Sequence, residues 1–497
     1  MKRFWLIGLL FMLFACSAKQ EKTNVLLITI DDLSCSSVGT YGCKVDNITP
    51  NIDHLATQGF LFEKAYTNYS ICNPSRSTIL TGLYAHNHGS YAENGIHNQV
   101  KTITSFLNEK GYFTGIMHKE FHYLPVDAFG WDTIIGTEML LGSRIPSLFK
   151  EFAKGFFQES KKRNKPFMLV ANTADPHRPF ATRDSEMYPG GSNEPFGISR
   201  LYDTTEVENP PYLPEHPIIH EDAALYYTSV HRADEMVGAA LEALKESGLM
   251  ENTLVVLVSD NGSAFPFAKH DCYVESNHIP MIYKWPGKIQ SQRDKSHMVT
   301  TLDIVPTITE LLGYNFPDKT DGRSLVSIIN GGKQDGRDAV FSEYEYHTTR
   351  AGQCLPYSSR SVQTIDYRYI INFWANDTTS IEPVIRYAPA YEVMVNSTEE
   401  GMQERREFYL HRTPEEFYDV KNDPACIHNI IEQPEILEHI NKLEALLITE
   451  MERNGDPALS AFKQGTPEAF RKYIEQRTEF GKEIRKQQQE LKNDRHN

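Results

Sequence analysis

Two runs of this chain leave little freedom in the fold. Thr253-Leu254-Val255-Val256-Leu257-Val258-Ser259 and Asn24-Val25-Leu26-Leu27-Ile28-Thr29-Ile30 are apolar and β-branched almost throughout. Neither alternates apolar with polar, as a sheet with one wet face requires. Both read as strands of a parallel sheet buried on both faces. The first runs straight into Asp260-Asn261-Gly262, the second into Asp31-Asp32. Open α/β sheets place their sites at the carboxyl ends of the strands. Adjacent carboxylates repel, and a divalent cation is a usual compensation. Taken alone, Asp31-Asp32 also fits a solvated loop or a helix cap. Asp31, Asp32, Asp260 and Asn261 together supply hard oxygen ligands of the kind Ca²⁺ or Mg²⁺ takes. No His/Cys cluster favours zinc.

The rest of the chain supports an α/β frame. Thr49-Pro50-Asn51-Ile52-Asp53 reads as a helix start, Gly59 as its end, and Phe60-Leu61-Phe62 as a short strand. Lys165-Pro166-Phe167-Met168-Leu169-Val170-Ala171-Asn172 is a further strand, leading to Asp175-Pro176-His177-Arg178. The stretch 181–219, rich in Pro, Gly and acids, reads as a lid, a rim or a surface connection. Residues 221–247 carry Leu225, Val230, Ala233, Val237, Leu241 and Leu244 at helical spacing. After about residue 350 the character changes. Arg360-Ser361-Val362-Gln363-Thr364, Tyr367–Phe373 and Glu416–Val420 suggest strands, 434–453 an amphipathic helix, and the charged tail from Phe470 a helix or disorder.

The formal net charge of −16 argues against nucleic acid as a partner, but local cations can still hold an anionic substrate in one cleft. Lys2, Arg3 and the apolar stretch from Phe4 to Phe14 form a targeting segment too short to span a bilayer. Leu13-Phe14-Ala15-Cys16 resembles a bacterial lipobox. It implies removal of residues 1–15, lipidation of Cys16 and a periplasmic or outer-membrane-attached lipoprotein of a Gram-negative-type bacterium. The membrane is then touched only through that lipid. A plain signal peptide is the alternative. The seven cysteines are too scattered for a disulfide framework, although a Cys35–Cys43 bridge is open.

Cys72 heads the run Cys72-Asn73-Pro74-Ser75-Arg76. Read alone, this is a small cysteine before a helix with Pro in its first turn. With Asp31-Asp32, the Thr49–Asp53 helix start and the Phe60-x-Phe62-x-x-Ala65-Tyr66 turn in that order, it resembles the signature of the type I, formylglycine-dependent sulfatases. The block Gly111-Tyr112-Phe113-Thr114-Gly115-Ile116-Met117-His118-Lys119-Glu120-Phe121-His122 is similar to the family's next one, with His118 where a glycine is usual.

The resemblance implies a large mixed, mostly parallel sheet sandwiched by helices, as in alkaline phosphatase. A smaller C-terminal antiparallel sheet with a helix follows, giving a catalytic unit over 22–350 and a second over 351–497. It implies that a dedicated maturase oxidises Cys72 to formylglycine. One hydroxyl of the hydrated aldehyde attacks sulfur, and the second lets the intermediate collapse and expel sulfate. Asp31, Asp32, Asp260 and Asn261, with position 72, hold Ca²⁺ or, as an alternative, Mg²⁺. Arg76 neutralises the attacking alkoxide. Lys119 and Lys269 hold sulfate oxygens, His122 contacts the diol or its leaving oxygen, and His177 protonates the leaving group.

Within the family, Asp175-Pro176-His177-Arg178, Ser259–Gly262 with Phe265-Pro266-Phe267 and Lys269, and Arg360–Thr364 look closest to the heparan N-sulfatases. These stretches offer Arg178 and Arg360 as cations for a sugar's acidic groups, or as structural salt bridges. Those enzymes usually carry arginine at the position of Lys269 and a shorter Lys-x-His. The function expected is hydrolysis of sulfate from a glycosaminoglycan-derived saccharide, leaning to N-sulfoglucosamine. The alternatives are an O-sulfatase on a glycosaminoglycan or other host glycan, a phosphonate or phosphodiester hydrolase, and an inactive glycan-binding lipoprotein.

Overall fold

The computed structural model describes residues 22–181, 198–349, 352–376, 379–381, 385 and 387–494. The targeting segment and Cys16 lie outside the described residues. No helix among the described residues is long and apolar enough to cross a membrane.

Eight strands form the main sheet, in the order Thr133–Ile135, Phe113–Met117, Phe167–Asn172, Asn24–Ile30, Thr253–Ser259, Met281–Lys284, Phe60–Phe62 and Gln292–Asp294. The first five are parallel to one another. Met281–Lys284 runs antiparallel to both of its neighbours. Asn24–Ile30 lies at the centre, in register with Thr253–Ser259 from Asn24 beside Thr253 to Ile30 beside Ser259. All seven residues of each strand are buried.

The reason for the unbroken apolar runs is visible in the packing. Leu26, Ile28 and Ile30 face one core, with Leu169, Val255 and Leu257, under helices Pro146–Arg163 and Pro217–Glu246. Val25 and Leu27 face the other, with Met168, Val170, Leu254 and Val256, under Cys72–Thr81, Ile103–Glu109 and Ile304–Leu311. Alternate side chains point to opposite faces of a strand, so a sheet covered on both faces demands apolar residues at every position.

The helix expected over 221–247 begins earlier, as Pro217–Glu246. The described part of the 181–219 stretch is not a bare surface connection, because Tyr202, Val207, Tyr212 and Leu213 are buried in the core. Cys35 and Cys43 are unbridged thiols.

A separate antiparallel sheet follows, ordered Val340–Thr348, Cys354–Gln363, Tyr367–Asn372 and Glu415–Asp419. A boundary at residue 350 therefore cuts between two strands of one sheet. The four-stranded sheet starts with the Val340–Thr348 strand, which sequence reasoning did not mark. The tail is helical: Pro467–Asp494 lies along the Cys354–Gln363 strand, with Tyr473 and Ile484 buried.

A buried charge cluster around the four-stranded sheet reaches the first unit through Glu343. Arg360 is 2 % exposed and donates to Asp456 at 2.6 and 3.0 Å and to Glu345 at 2.9 Å. Glu343 accepts from the Ala85 backbone N–H at 2.6 Å and pairs with His86 at 2.7 Å. Burial alone lowers the pKa of His86, but Glu343 overrides it and raises the value from 6.5 to about 9. A raised histidine stabilises the fold most fully below its unfolded pKa and loses that stabilisation as pH climbs through its folded one. We expect the wild-type stability to fall between pH 6.5 and about 9, by up to about 3 kcal/mol. Urea melts across that window should show His86→Gln lacking this slope.

Candidate active site

The register of the two central strands brings the acids together. Asp31 and Asp32 leave one strand where Asp260 and Asn261 leave its neighbour, and all four side chains are fully buried. Asp32 turns the chain through the left-handed region, at φ 65°, a conformation aspartate tolerates better than most residues. Its backbone N–H donates to Asp260 Oδ1 at 3.1 Å, and Asn261 Nδ2 donates to Asp32 Oδ1 at 2.7 Å. Gly262 must be glycine. A Cβ there would stand 2.0 Å from the Glu275 carbonyl oxygen and 2.6 Å from that of Ala268, backbone atoms with no room to yield.

The helix Cys72–Thr81 sits on one face of the sheet with its N-terminus at this edge. Ser75 donates to the Asp260 carbonyl at 2.5 Å, which anchors the first turn to the neighbouring strand exit. Gly82, at φ 69°, ends the helix as a left-handed cap. Cys72 Sγ thereby lies 3.2 Å from Asp31 Oδ1 and 3.8 Å from Asp32 Oδ1. Arg76, one turn on, is fully buried and pairs with Asp260 at 2.6 Å and Asp31 at 3.2 Å.

Lysines approach from two other directions. Lys119, in the turn after Phe113–Met117, pairs with Asp31. Lys269 donates to Asp32 Oδ1 at 2.6 Å and to Cys72 Sγ at 3.4 Å. His118 and Lys119 both take φ 58°, so the left-handed shape that glycine usually supplies is kept here by a histidine. His177 Nε2 is 4.0 Å from Asp32 Oδ2. One ring nitrogen of His177 lies within 4.8 Å of the sulfur of Cys72 and of an Asp31 oxygen. His122 stands at the edge of the same field, and burial together with Lys119 holds its pKa well below the usual range.

Of the sequence-predicted residues, Asp31, Asp32, Asp260, Asn261, Cys72, Arg76, Lys119, Lys269 and His177 thus converge, while His122 is tied to the Lys119 turn by its backbone N–H, which donates to the Lys119 carbonyl at 2.9 Å. Arg178 and Arg360 do not face the site as free cations. Arg178 is locked into a two-pronged pair with Asp222 at 2.5 and 2.8 Å, and Arg360 is taken up by Asp456 and Glu345. In each case planar guanidinium geometry matches a carboxylate that lies far away along the chain. Sequence reasoning also missed Asn172, whose one signal was a polar residue closing an apolar strand.

The electrostatics suit a cation. Burial pushes the Asp31 carboxyl up, but Lys119, His177, Arg76 and Lys269 outweigh it and hold it well below the usual carboxylate range. For Asp260, burial and the neighbouring Asp31 and Asp32 win over Arg76 and raise it to about 7. The Cys72 thiol is pushed up by burial and by Asp31, so this sulfur is no ready thiolate. Asp31, Asp32, Cys72 and Asp260 each present one ligand atom, all within 4.8 Å of one another. Asn261 Oδ1 and Asp32 Oδ2 are buried without a hydrogen-bond partner among the described residues. Buried orphan oxygens are costly, and a hard divalent cation satisfies them. The donor set therefore fits Ca²⁺ or Mg²⁺. Three carboxylates face three cations, Arg76, Lys119 and Lys269, so a divalent ion tips the cluster positive.

Comparison with known proteins agrees with this geometry. A family model described as Sulfatase matches residues 23–314. A second, described as N-sulphoglucosamine sulphohydrolase, C-terminal, matches residues 263–382. The chain is 28 % identical to the human N-sulphoglucosamine sulphohydrolase, over 91 % of this chain and 94 % of that protein. Two solved structures share the fold. One, in complex with its substrate D-glucosamine-2-N,6-O-disulfate, aligns at TM-score 0.65 and 19 % identity, covering 88 % of this chain and 98 % of the other. The other is the phosphonate monoester hydrolase of Agrobacterium radiobacter, at TM-score 0.66 and 17 % identity, covering 87 % and 96 %. Its main sheet, its acid-lined strand exits and a family match over more than half its length show that the chain belongs to the sulfatase family.

Proposed function

We propose that this sulfatase removes sulfate groups from glycosaminoglycan-derived saccharides, with N-sulfated glucosamine as its preferred substrate. The observation that carries the reading is the meeting of Cys72 with four oxygen-bearing side chains and two lysines at one strand edge. The second family match and the human relative support the lean to N-sulfate. The disulfated substrate of the structural neighbour keeps O-sulfate as the second reading.

Position 72 is proposed to carry formylglycine, made by a maturase. Asp31, Asp32, Asp260 and Asn261 are proposed to hold Ca²⁺ beside it, with Mg²⁺ as the alternative. When bound, the ion supplies Lewis-acid polarisation of sulfate and the modified side chain supplies a paired-hydroxyl nucleophile. The chain's own residues do the rest. Lys119 and Lys269 turn from Asp31 and Asp32 to the non-bridging sulfate oxygens, where charge must be held as sulfur is attacked. Arg76 steadies the developing negative charge at position 72. His177 donates its Nδ1–H to the Arg178 carbonyl at 2.5 Å, leaving Nε2 as the atom that can take up a proton. Burial lowers its pKa to about 4 against the pull of Asp32, so at neutral pH Nε2 is free to take the proton that nucleophilic attack at position 72 releases. It then returns that proton to the departing nitrogen or oxygen. An amine leaving group depends on this step, because an amide anion leaves very poorly. The site is proposed to work outside the cytoplasm, in a protein anchored through a lipid on Cys16.

The test is sulfate release from N-sulfated, 6-O-sulfated and 2-O-sulfated glucosamine saccharides, with matched phosphorus esters alongside. Fastest release from the N-sulfated saccharide is expected. Release confined to O-sulfates would overturn the N-sulfate preference, and faster turnover of the phosphorus esters would overturn the sulfatase reading of this site.

A further inference from the structure

The strand Phe167–Asn172 ends on an amide that is completely buried. Asn172 Oδ1 accepts from Arg76 Nη1 at 2.6 Å, from the Tyr123 hydroxyl at 2.9 Å and from the Thr29 hydroxyl. Asn172 Nδ2 donates to the carbonyl oxygens of Met117 at 2.9 Å and His118 at 3.0 Å. The orientation of the amide is settled by these partners. Two carbonyls require N–H groups, and a guanidinium requires an oxygen.

Both ends of this amide lead to the reacting centre. Arg76 Nη1 also donates to Thr29 Oγ1 at 2.8 Å, while its Nη2 reaches Asp31 and Asp260. On the other side, Met117 and His118 lead directly into Lys119. His118 and Lys119 are consecutive left-handed residues with side chains, a conformation costing on the order of 1–2 kcal/mol each. Such strain persists only where the surroundings over-determine it. The two bonds from Nδ2 pin the peptide units that enter the turn.

We infer that Asn172 is a positioning residue for the sulfatase reaction, holding Arg76 beside Cys72 and the Lys119 turn over Asp31 through one amide. The inference rests on the function proposed above. Aspartate keeps the acceptor side but cannot donate to the two carbonyls, and leucine fills the space with neither.

The experiment is a double-mutant cycle on the calcium-loaded, matured full chain, combining Asn172→Asp with Lys119→Ala. A merely structural residue gives additive losses. Acting through the Lys119 turn, Asn172→Asp should lower kcat/KM for sulfate release about 30-fold in the native background and less than about 3-fold where Lys119 is already alanine. Hydrogen exchange, followed by mass spectrometry, gives a readout that needs no turnover. Exchange should rise in the segment 117–122 and stay unchanged in the central strand 24–30. Additive losses, or exchange that rises equally in both segments or in neither, would overturn the inference. If Asn172→Asp does not fold, Asn172→Ser, which also loses the double donor, is measured in the same way. A wild-type chain that releases no sulfate would instead refute the functional reading, and the exchange data would still judge the placement of Asn172.

Discussion

Cys72→Ser should end multiple turnover on every sulfated saccharide, lowering sulfate release by about 10⁴-fold or more. The change is nearly isosteric, in a residue only 5 % exposed, so the melting midpoint should move by less than about 2 °C. Calcium affinity, which the proposed site places on Asp31, Asp32, Asp260 and Asn261, should persist. The severity follows from chemistry. Serine offers one hydroxyl where the proposed cycle needs two, so a sulfate once accepted on the introduced oxygen has no internal route off. Intact-mass measurement after incubation with substrate should therefore show a fraction of the variant carrying one added sulfo (SO3) group. A Cys72→Ser protein that turns over at the wild-type rate would remove position 72 from the mechanism.

Asp260→Asn should be almost as damaging, for two reasons at once. Asp260 Oδ2 lies 2.6 Å from the Arg76 guanidinium in a fully buried pair. Breaking a buried pair by removing one charge typically costs about 3–5 kcal/mol. An asparagine amide can also turn N–H groups toward those of Arg76. The same carboxylate is one of the grouped ligands beside Asp31, Asp32 and Cys72. Sulfate release should fall by about 10³-fold or more. Calorimetric titration should show calcium affinity reduced by at least about tenfold, and added calcium should raise the melting midpoint of wild type but not of this variant. Undiminished calcium binding in this variant would place the ion elsewhere.

Much of this site was legible before any fold was known, because its parts are local. Asp31-Asp32 and Asp260-Asn261 each follow a seven-residue strand with nothing between. Cys72 and Arg76 are one helical turn apart. Such features need only strand periodicity, helix spacing and the chemistry of paired acids. Arg178 and Arg360 were ambiguous for the opposite reason. An arginine's role depends on which carboxylate reaches it, and Asp222 and Asp456 lie 44 and 96 residues away in the chain. The Val340–Thr348 strand was missed because Glu343, Glu345 and His347 break its apolar pattern. Those groups are buried only because Arg360, Arg477 and His86 neutralise the two glutamates.

By itself, then, the order of residues determined a doubly covered parallel sheet, two acid-tipped strand exits and a cysteine heading a helix. Each of these is dictated by interactions within a few residues along the chain. Only the tertiary structure decided that the two exits adjoin in register, that Lys119 and Lys269 arrive from opposite sides, and that Asn172 ties Arg76 to the Lys119 turn. Those outcomes depend on hydrogen bonds and charge pairs formed between segments dozens to hundreds of residues apart, whose partners become neighbours only when the two cores close on the sheet.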